Sequence, residues 1–240
     1  MTRKKTAIVT GASQGIGAAV VQAFLDRDYD VIATSRAISK SGLPPSPRLA
    51  LVDGDIGLPE TAEKIARIAV DRFGTIDHLV NNAGVFASKP FTAYTAEDFR
   101  AFVSTNLEGF IYISQRAVAQ MLKQGTGGSV TTITSSTADH PIAGARGSIP
   151  MITKGGLNSI TLSLAAEYAI EKIRFNAVAP GIVDTPMHRG TPKDFLNSFS
   201  PMGAIAEPRD IADAVIYLSE ASHVTGEVLY VDDGAHVGKW

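Results

Sequence analysis

Short apolar, β-branched runs alternate along this chain with longer stretches whose apolar positions recur at the period of a helix. Residues 6–10 (TAIVT), 30–35 (DVIATS), 49–53 (LALVD), 77–81 (DHLVN), 129–134 (SVTTIT), 173–179 (IRFNAVA) and 226–232 (GEVLYVD) read as strands. Between them, 15–27, 59–73, 96–102, 107–124, 150–170 and 208–220 read as helices. Strands separated by helices need crossover connections. The pattern therefore predicts an α/β fold, a mainly parallel sheet with helices on both faces. Such a sheet binds ligands beyond the carboxyl ends of its strands. The loops there are 11–17, 35–48, 53–58, 81–90, 135–149 and 180–205. The segment 39–48 (SKSGLPPSPR), with three prolines, reads as surface turn rather than site.

A length of 240 residues suits a single α/β domain, and 45% hydrophobic against 19% charged residues describes a globular chain with a sizeable core. A formal charge of -2 and the lack of a basic strip argue against a nucleic-acid partner. Arg3, Lys4 and Lys5 read as a solvated N-terminal edge. The chain has no cysteine, which excludes disulfides, thiolate nucleophiles and zinc–cysteine sites and fits a reducing, cytoplasmic setting. No metal site is expected. The apolar run after the basic start is too short for a signal peptide, and no run is long enough to span a bilayer.

Chemistry begins at 10–17 (TGASQGIG), between the first strand and the first helix. Gly11, Gly15 and Gly17 let the backbone approach a phosphate closely, and the helix N-terminus offers N–H groups to it. The spacing is G-x-x-x-G-x-G, and its place between strand and helix separates it from an ordinary glycine turn. Further along come NNAG (81–84), Asn106 in NLEG, the serine pair 135–136, Lys154 and APGIVDT (179–185). In that order these motifs resemble the short-chain dehydrogenases/reductases over nearly the whole chain. The resemblance implies a Rossmann-type, doubly wound sheet of about seven parallel strands. It also implies an NAD(H)- or NADP(H)-dependent oxidoreductase that interconverts a small-molecule carbonyl and an alcohol.

The end of the second strand bears on cofactor choice. An acidic residue there would bond the ribose hydroxyls and repel a 2′-phosphate, whereas arginine accommodates that phosphate. Ser35 stands where the acid would be and Arg36 follows, which favours NADP(H) over NAD(H). By resemblance, Ser13, Gln14 and Ile16 belong to the phosphate loop. Asp55 and Ile56 match adenine-contacting positions, and Asn82, Ala83 and Gly84 match the segment beside the adenine-side ribose. Pro180 and Gly181 shape the turn after a strand, and Val183 and Thr185 match positions that hold the nicotinamide carboxamide. Residues 186–205 would form a substrate lid.

In the family a tyrosine gives the carbonyl oxygen its proton, and a lysine one turn later lowers the tyrosine's pKa and holds the nicotinamide ribose. A serine bonds the carbonyl oxygen and an asparagine holds a water. Lys154 matches the lysine and Asn106 the asparagine. Ser135 best matches the serine, with Ser136 and Thr137 as rivals. The usual spacing to the tyrosine is about thirteen positions, and Ser135 lies fifteen before position 150. Position 150 holds Pro150, which has no ionisable group and no N–H. Proline suits the first turn of a helix, with Ser148 as its N-cap, so the fold survives and the acid does not. Met151 adds a flexible apolar side chain there. His140, His188 or a water relayed by Ser148 are other possible proton sources. Two readings follow: an oxidoreductase with a non-tyrosine proton source, or a dinucleotide-binding protein with little or no redox activity. The resemblance further implies a homo-oligomer, tetramer or dimer. The segment 232–240 (DDGAHVGKW) resembles one often found at subunit interfaces, which would place Trp240 there.

Overall fold

Seven strands form one sheet: β1 (Thr6–Thr10), β2 (Asp30–Ser35), β3 (Leu49–Asp53), β4 (His78–Asn81), β5 (Gly128–Ile133), β6 (Ile173–Pro180) and β7 (Val228–Val231). They lie in the order β3-β2-β1-β4-β5-β6-β7, and every neighbouring pair is parallel. This architecture is seen in a computed structural model that describes residues 3–238. Trp240 lies outside the described residues. The order reverses at β1, beside β4, and the crevice past the ends of those two strands is where a sheet of this kind takes a ligand.

The period-2 rule of a strand divides the core between two faces. In β1, Ala7 and Val9 join Val20, Phe24, Ile211 and Val215 of α1 (Gly15–Asp26) and α7 (Pro208–Glu220). Ile8 turns to the other face. There it joins Ile65, Ile113, Met121 and Ala165 of α2 (Pro59–Phe73), α4 (Gly109–Gln124) and α5 (Ser148–Glu167). Helix ends carry local signals. Pro59 begins α2 and Gly74, at φ 83°, ends it. Thr95 and Asp98 form a capping box on α3 (Ala96–Phe102).

The structure departs from the sequence reading in three places. The stretch between 102 and 107 is not a break: a π-helical turn, Val103–Glu108, joins α3 to α4 in one helical run. Ser148 is not an N-cap; it is already inside α5, and Gly147, at φ 160°, takes the cap position without a side-chain bond. A short helix α6 (Lys193–Asn197) lies in a segment that has no apolar period to announce it. Arg3, Lys4 and Lys5 are exposed, the solvated edge that the sequence suggests, and Arg3 is also tied down. Arg3 donates to Asp77 Oδ1 at 2.6 Å, and the other oxygen of this buried carboxylate accepts from Thr6 N at 2.8 Å and Thr75 Oγ1 at 2.6 Å. Asp77 thus bolts the N-terminal edge of β1 to the approach of β4. No helix among the described residues is long and apolar enough to cross a membrane.

Candidate functional site

The glycine loop gets its shape from the turn beside it. Thr10, the last residue of β1, accepts from Asn82 N at 3.1 Å and Ala83 N at 3.0 Å through its hydroxyl. The Asn82 amide donates to Thr10 O and Gly11 O, both at 3.0 Å. The loop is therefore stitched onto NNAG at close range. A Cβ on Gly11 would stand 2.7 Å from Ala83 Cα, and one on Gly17 would stand 2.3 Å from Gly11 O. Gly11 also has φ 63° and Gly15 φ 54°, which glycine adopts without steric cost. Asn82 and Ala83 act here as braces of the loop. The N-terminus of α1 has no side-chain cap at Gln14 and no acidic residue in its first turn. Ser13, Gln14, Gly15 and Ile16 leave that end of the helix open, with donors and positive dipole turned outward, as a pyrophosphate requires.

At the ends of β2 and β3, Ser35 is partly buried and Arg36 is exposed. Asp53, closing β3, accepts from Ser39 N at 2.9 Å and Ser39 Oγ at 2.6 Å, which fixes the loop that follows Arg36. Asp55 is exposed and accepts from Gly57 N at 3.0 Å. The Ile56 side chain turns into the core, where a Cβ on Gly109 would approach its Cγ2 to 2.8 Å.

Across the crevice, α5 brings Lys154 to the end of β5 and Met151 to Thr137, while Pro150 is buried. Lys154 is partly buried and donates to Ile133 O at 2.7 Å. Burial pushes its pKa down from 10.5 to about 8. Asn106, in the π turn and 2% exposed, accepts from Val85 N at 2.8 Å and donates to Val85 O at 3.2 Å and Thr153 Oγ1 at 2.9 Å. Thr153 in turn donates to Pro150 O at 2.7 Å. Gly84 lies between the two sites. A Cβ there would be 3.4 Å from both Asn106 Oδ1 and Lys154 Nζ. Ser135 Oγ and Thr137 Oγ1 share a hydrogen bond of 2.8 Å, and Thr137 reaches Met151 Sδ at 3.2 Å. Ser136 is buried at 1%.

The loop after β6 closes the third side. Pro180 ends β6, and Gly181 packs under Asp232, where a Cβ would come within 2.8 Å of the Asp232 Cβ. Val183 is buried and bridges Ala206, so residues 184–205 leave and return at one pinned point. Thr185 faces the start of α1, with its Cγ2 3.2 Å from where a Gly15 Cβ would stand. His188 lies in that segment, and burial lowers its pKa. His140 is drawn away from the crevice: its ring packs edge-on against Tyr230 at 5.1 Å and His236 at 5.7 Å.

The structure thus brings Asn106, Lys154 and Gly84 together, and Ser135 with Thr137 and Met151, while His140 joins a separate ring cluster. The sequence reading missed Thr10 and Thr153, the two hydroxyls that brace Asn82 and Asn106. The only signal for Thr10 was a polar residue closing a buried strand, and Thr153 had none beyond its place beside Lys154. The residues present fit a dinucleotide: an uncapped helix start, a glycine loop held too tightly for any side chain, and an amine over a bare glycine.

Residues 11–236 match the family described as Enoyl-(Acyl carrier protein) reductase. A tropinone reductase homologue of Arabidopsis thaliana is 36% identical over 248 residues, covering 95% of this chain and 92% of that protein. A 3alpha-hydroxysteroid dehydrogenase of Mediterraneibacter gnavus is 36% identical, covering 98% of each. Among solved structures, ElxO with NADP bound has a TM-score of 0.91 at 29% identity, covering 98% of this chain and 100% of that one. A 3-ketoacyl-(acyl-carrier-protein) reductase from Brucella melitensis complexed with NADH has a TM-score of 0.91 at 27% identity, covering 98% of this chain and 99% of that one. Because the likeness takes in the crevice around Lys154 as well as the nucleotide half, the chain belongs to the short-chain dehydrogenase/reductase family.

Proposed function

We propose that this single-domain protein is an NADP(H)-preferring oxidoreductase that interconverts a carbonyl and an alcohol, with a proton source other than tyrosine. The observation that carries the reading is that Lys154 Nζ and Asn106 Oδ1 flank Gly84, with Lys154 anchored on Ile133 O two residues before the bonded Ser135–Thr137 hydroxyls. A protein that only held a dinucleotide would use the lysine for the ribose but would have no use for the hydroxyl pair.

In this reading the glycine loop, Ser13 to Gly17, and the start of α1 bind the pyrophosphate, and Arg36 pairs with a 2′-phosphate. Asp55 and Ile56 border the adenine, and Gly84 the ribose beside it. Lys154 bonds the nicotinamide ribose, and Val183 and Thr185 hold the carboxamide, with Pro180 and Gly181 shaping their turn. Ser135, or its neighbours Ser136 and Thr137, donates to the carbonyl oxygen, where negative charge develops. The bound cofactor supplies or accepts the hydride. Residues 186–205, pinned at Val183 and Ala206, act as the lid. Pro150 occupies the position of the family's tyrosine. Exposed Ile111, Leu122, Ile152 and Leu162 on α4 and α5 support self-association of two or four copies, and the absence of cysteine fits the cytoplasm.

The test is a fluorescence titration with NADPH and NADH, followed by a screen of aldehydes and ketones for cofactor oxidation. Tighter binding of NADPH and measurable oxidation are expected. Tight NADPH binding with no turnover of any carbonyl would establish the second reading, a dinucleotide-binding protein without redox activity, which Pro150 motivates.

A further inference from the structure

Reduction of a carbonyl is complete only when its oxygen receives a proton, and the crevice holds few groups able to give one. Pro150 has none to give. The Thr153 hydroxyl is committed to Pro150 O, and Ser135 and Thr137 are bonded to each other. Hydroxyls of this kind pass protons on but do not supply them at neutral pH. The His140 ring is held in its own cluster with Tyr230 and His236. Of the side chains gathered around Gly84, Lys154 alone titrates.

We propose that Lys154 is itself the proton donor of the reduction, a role that rests on the oxidoreductase reading above. Its ammonium is anchored on Ile133 O at 2.7 Å, two residues before Ser135 on the same strand end. The anchor uses one of its three N–H bonds and leaves two for the crevice. Gly84 has no side chain to crowd the amine, since a Cβ there would already stand 3.4 Å from Lys154 Nζ and Asn106 Oδ1, and the partly exposed ammonium regains its proton from solvent. The groups around the nitrogen, Ile133, Gly84 and Asn106, carry no charge, and burial alone sets its ionisation. Its pKa of about 8 makes it a much stronger acid than an ordinary lysine and leaves it mostly protonated at pH 7.

The step balances. A hydride from the dihydronicotinamide adds to the carbonyl carbon, and the π pair of the C=O bond moves onto oxygen. That oxygen takes a proton that originates on Lys154 and crosses through one hydroxyl, of water or Ser135. An O–H bond forms as an N–H bond breaks. The neutral amine then recovers a proton from solvent, so the net reaction consumes the carbonyl, the reduced dinucleotide and one proton.

Lys154→Arg separates the two roles of the lysine, because arginine keeps the charge and cannot release a proton near neutrality. At NADPH concentrations that saturate the variant, as read by fluorescence, carbonyl reduction is expected to fall by about 10²-fold or more. Should arginine not fit, Lys154→Ala is assayed with added methylamine or ethylamine. Turnover is expected to return in proportion to the protonated amine, with NADPH affinity unchanged by the amine. In cofactor-free protein, a 15N NMR titration is expected to show one lysine ammonium titrating at about 8, and that resonance to be missing in Lys154→Arg. Wild-type rates in Lys154→Arg, or a Lys154→Ala protein that binds NADPH but ignores amines, overturn the proposal and leave the oxidoreductase reading intact. If wild-type protein binds NADPH and reduces no carbonyl, both fall together.

Discussion

Replacing Lys154 with methionine in the cofactor-free protein should change stability in opposite directions at neutral and alkaline pH. The fall of its pKa from 10.5 to about 8 means that folding favours the neutral amine. Below pH 8 the folded and unfolded states both carry the proton, and the whole penalty is felt. Between pH 8 and 10.5 the folded state sheds the proton while the unfolded state keeps it, and the penalty is lifted. The full difference corresponds to roughly 3 kcal/mol. Because one side of Lys154 stays open to the crevice, solvent screening reduces it to about 2 kcal/mol. Methionine removes this cost but leaves Ile133 O without its donor, which costs about 1 kcal/mol at any pH. The variant should therefore be more stable than wild type by about 1 kcal/mol at pH 7, or about 2–4 °C in Tm for a chain of this size. By pH 10 the gap should close to nearly zero, and wild type should become the more stable, by up to about 1 kcal/mol, only above pH 10.5 where the unfolded lysine also loses its proton. Thermal unfolding of both proteins across pH 7–10 measures the gap, and groups common to both cancel. A gap that stays constant over that range would refute a buried, easily deprotonated lysine, whatever its sign.

Four other substitutions probe separate parts of the site. Pro150→Tyr should raise carbonyl reduction by about 10²–10⁴-fold in steady-state assays, because the serine, lysine and asparagine are already in place; an unchanged rate would show that the pocket is not assembled for that acid. On the proposed pairing of the guanidinium with a 2′-phosphate, Arg36→Ala should weaken NADPH binding by about tenfold or more while leaving NADH unchanged, as paired titrations would reveal. Gly17→Ala puts a Cβ 2.3 Å from Gly11 O, and should destabilise the protein by about 1–3 kcal/mol and abolish tight dinucleotide binding. Asp77→Ala leaves Thr6 N and Thr75 Oγ1 without their buried acceptor and should cost about 2–4 kcal/mol in urea unfolding, with cofactor affinity in the surviving folded protein unaltered.

The strands and the main helices were legible because each is long enough to show its period. TAIVT and LALVD are apolar runs bounded by turns, and α2 has both its Pro59 start and its Gly74 stop in the sequence. What escaped was structure without a period. The π turn at Val103–Glu108 is written in Ser, Thr, Asn and Leu, which no rule separates from a loop or an α-helical turn. Its effect matters for the site, because the extra residue aims Asn106 inward onto Val85 and Thr153. Ser148 was misread because a serine before an apolar helix looks like a cap. Whether it is one depends on the backbone of Gly147, which turns the chain one residue earlier. The glycines of the phosphate loop were read as room for a ligand. Gly11 and Gly17 owe their identity just as much to Ala83 and Asn82, contacts that join distant segments and leave no local trace.

Proline at position 150 is accommodated by the helix start in which it sits. Pro150 is the third residue of α5, where the backbone N–H would have no partner inside the helix, so its absence costs nothing there. Its carbonyl still accepts from Thr153, and Thr153 still accepts from Asn106, so the turn that carries Lys154 stays coupled to the π turn across the crevice. On the proposed reading, in which the family's tyrosine belongs at this position, proline removes an acid and leaves these bonds standing. The lysine behind it keeps its burial, its anchor on Ile133 and its lowered pKa. Those properties were set by the scaffold and not by a phenol. They are what the proposed role of Lys154 as proton donor requires.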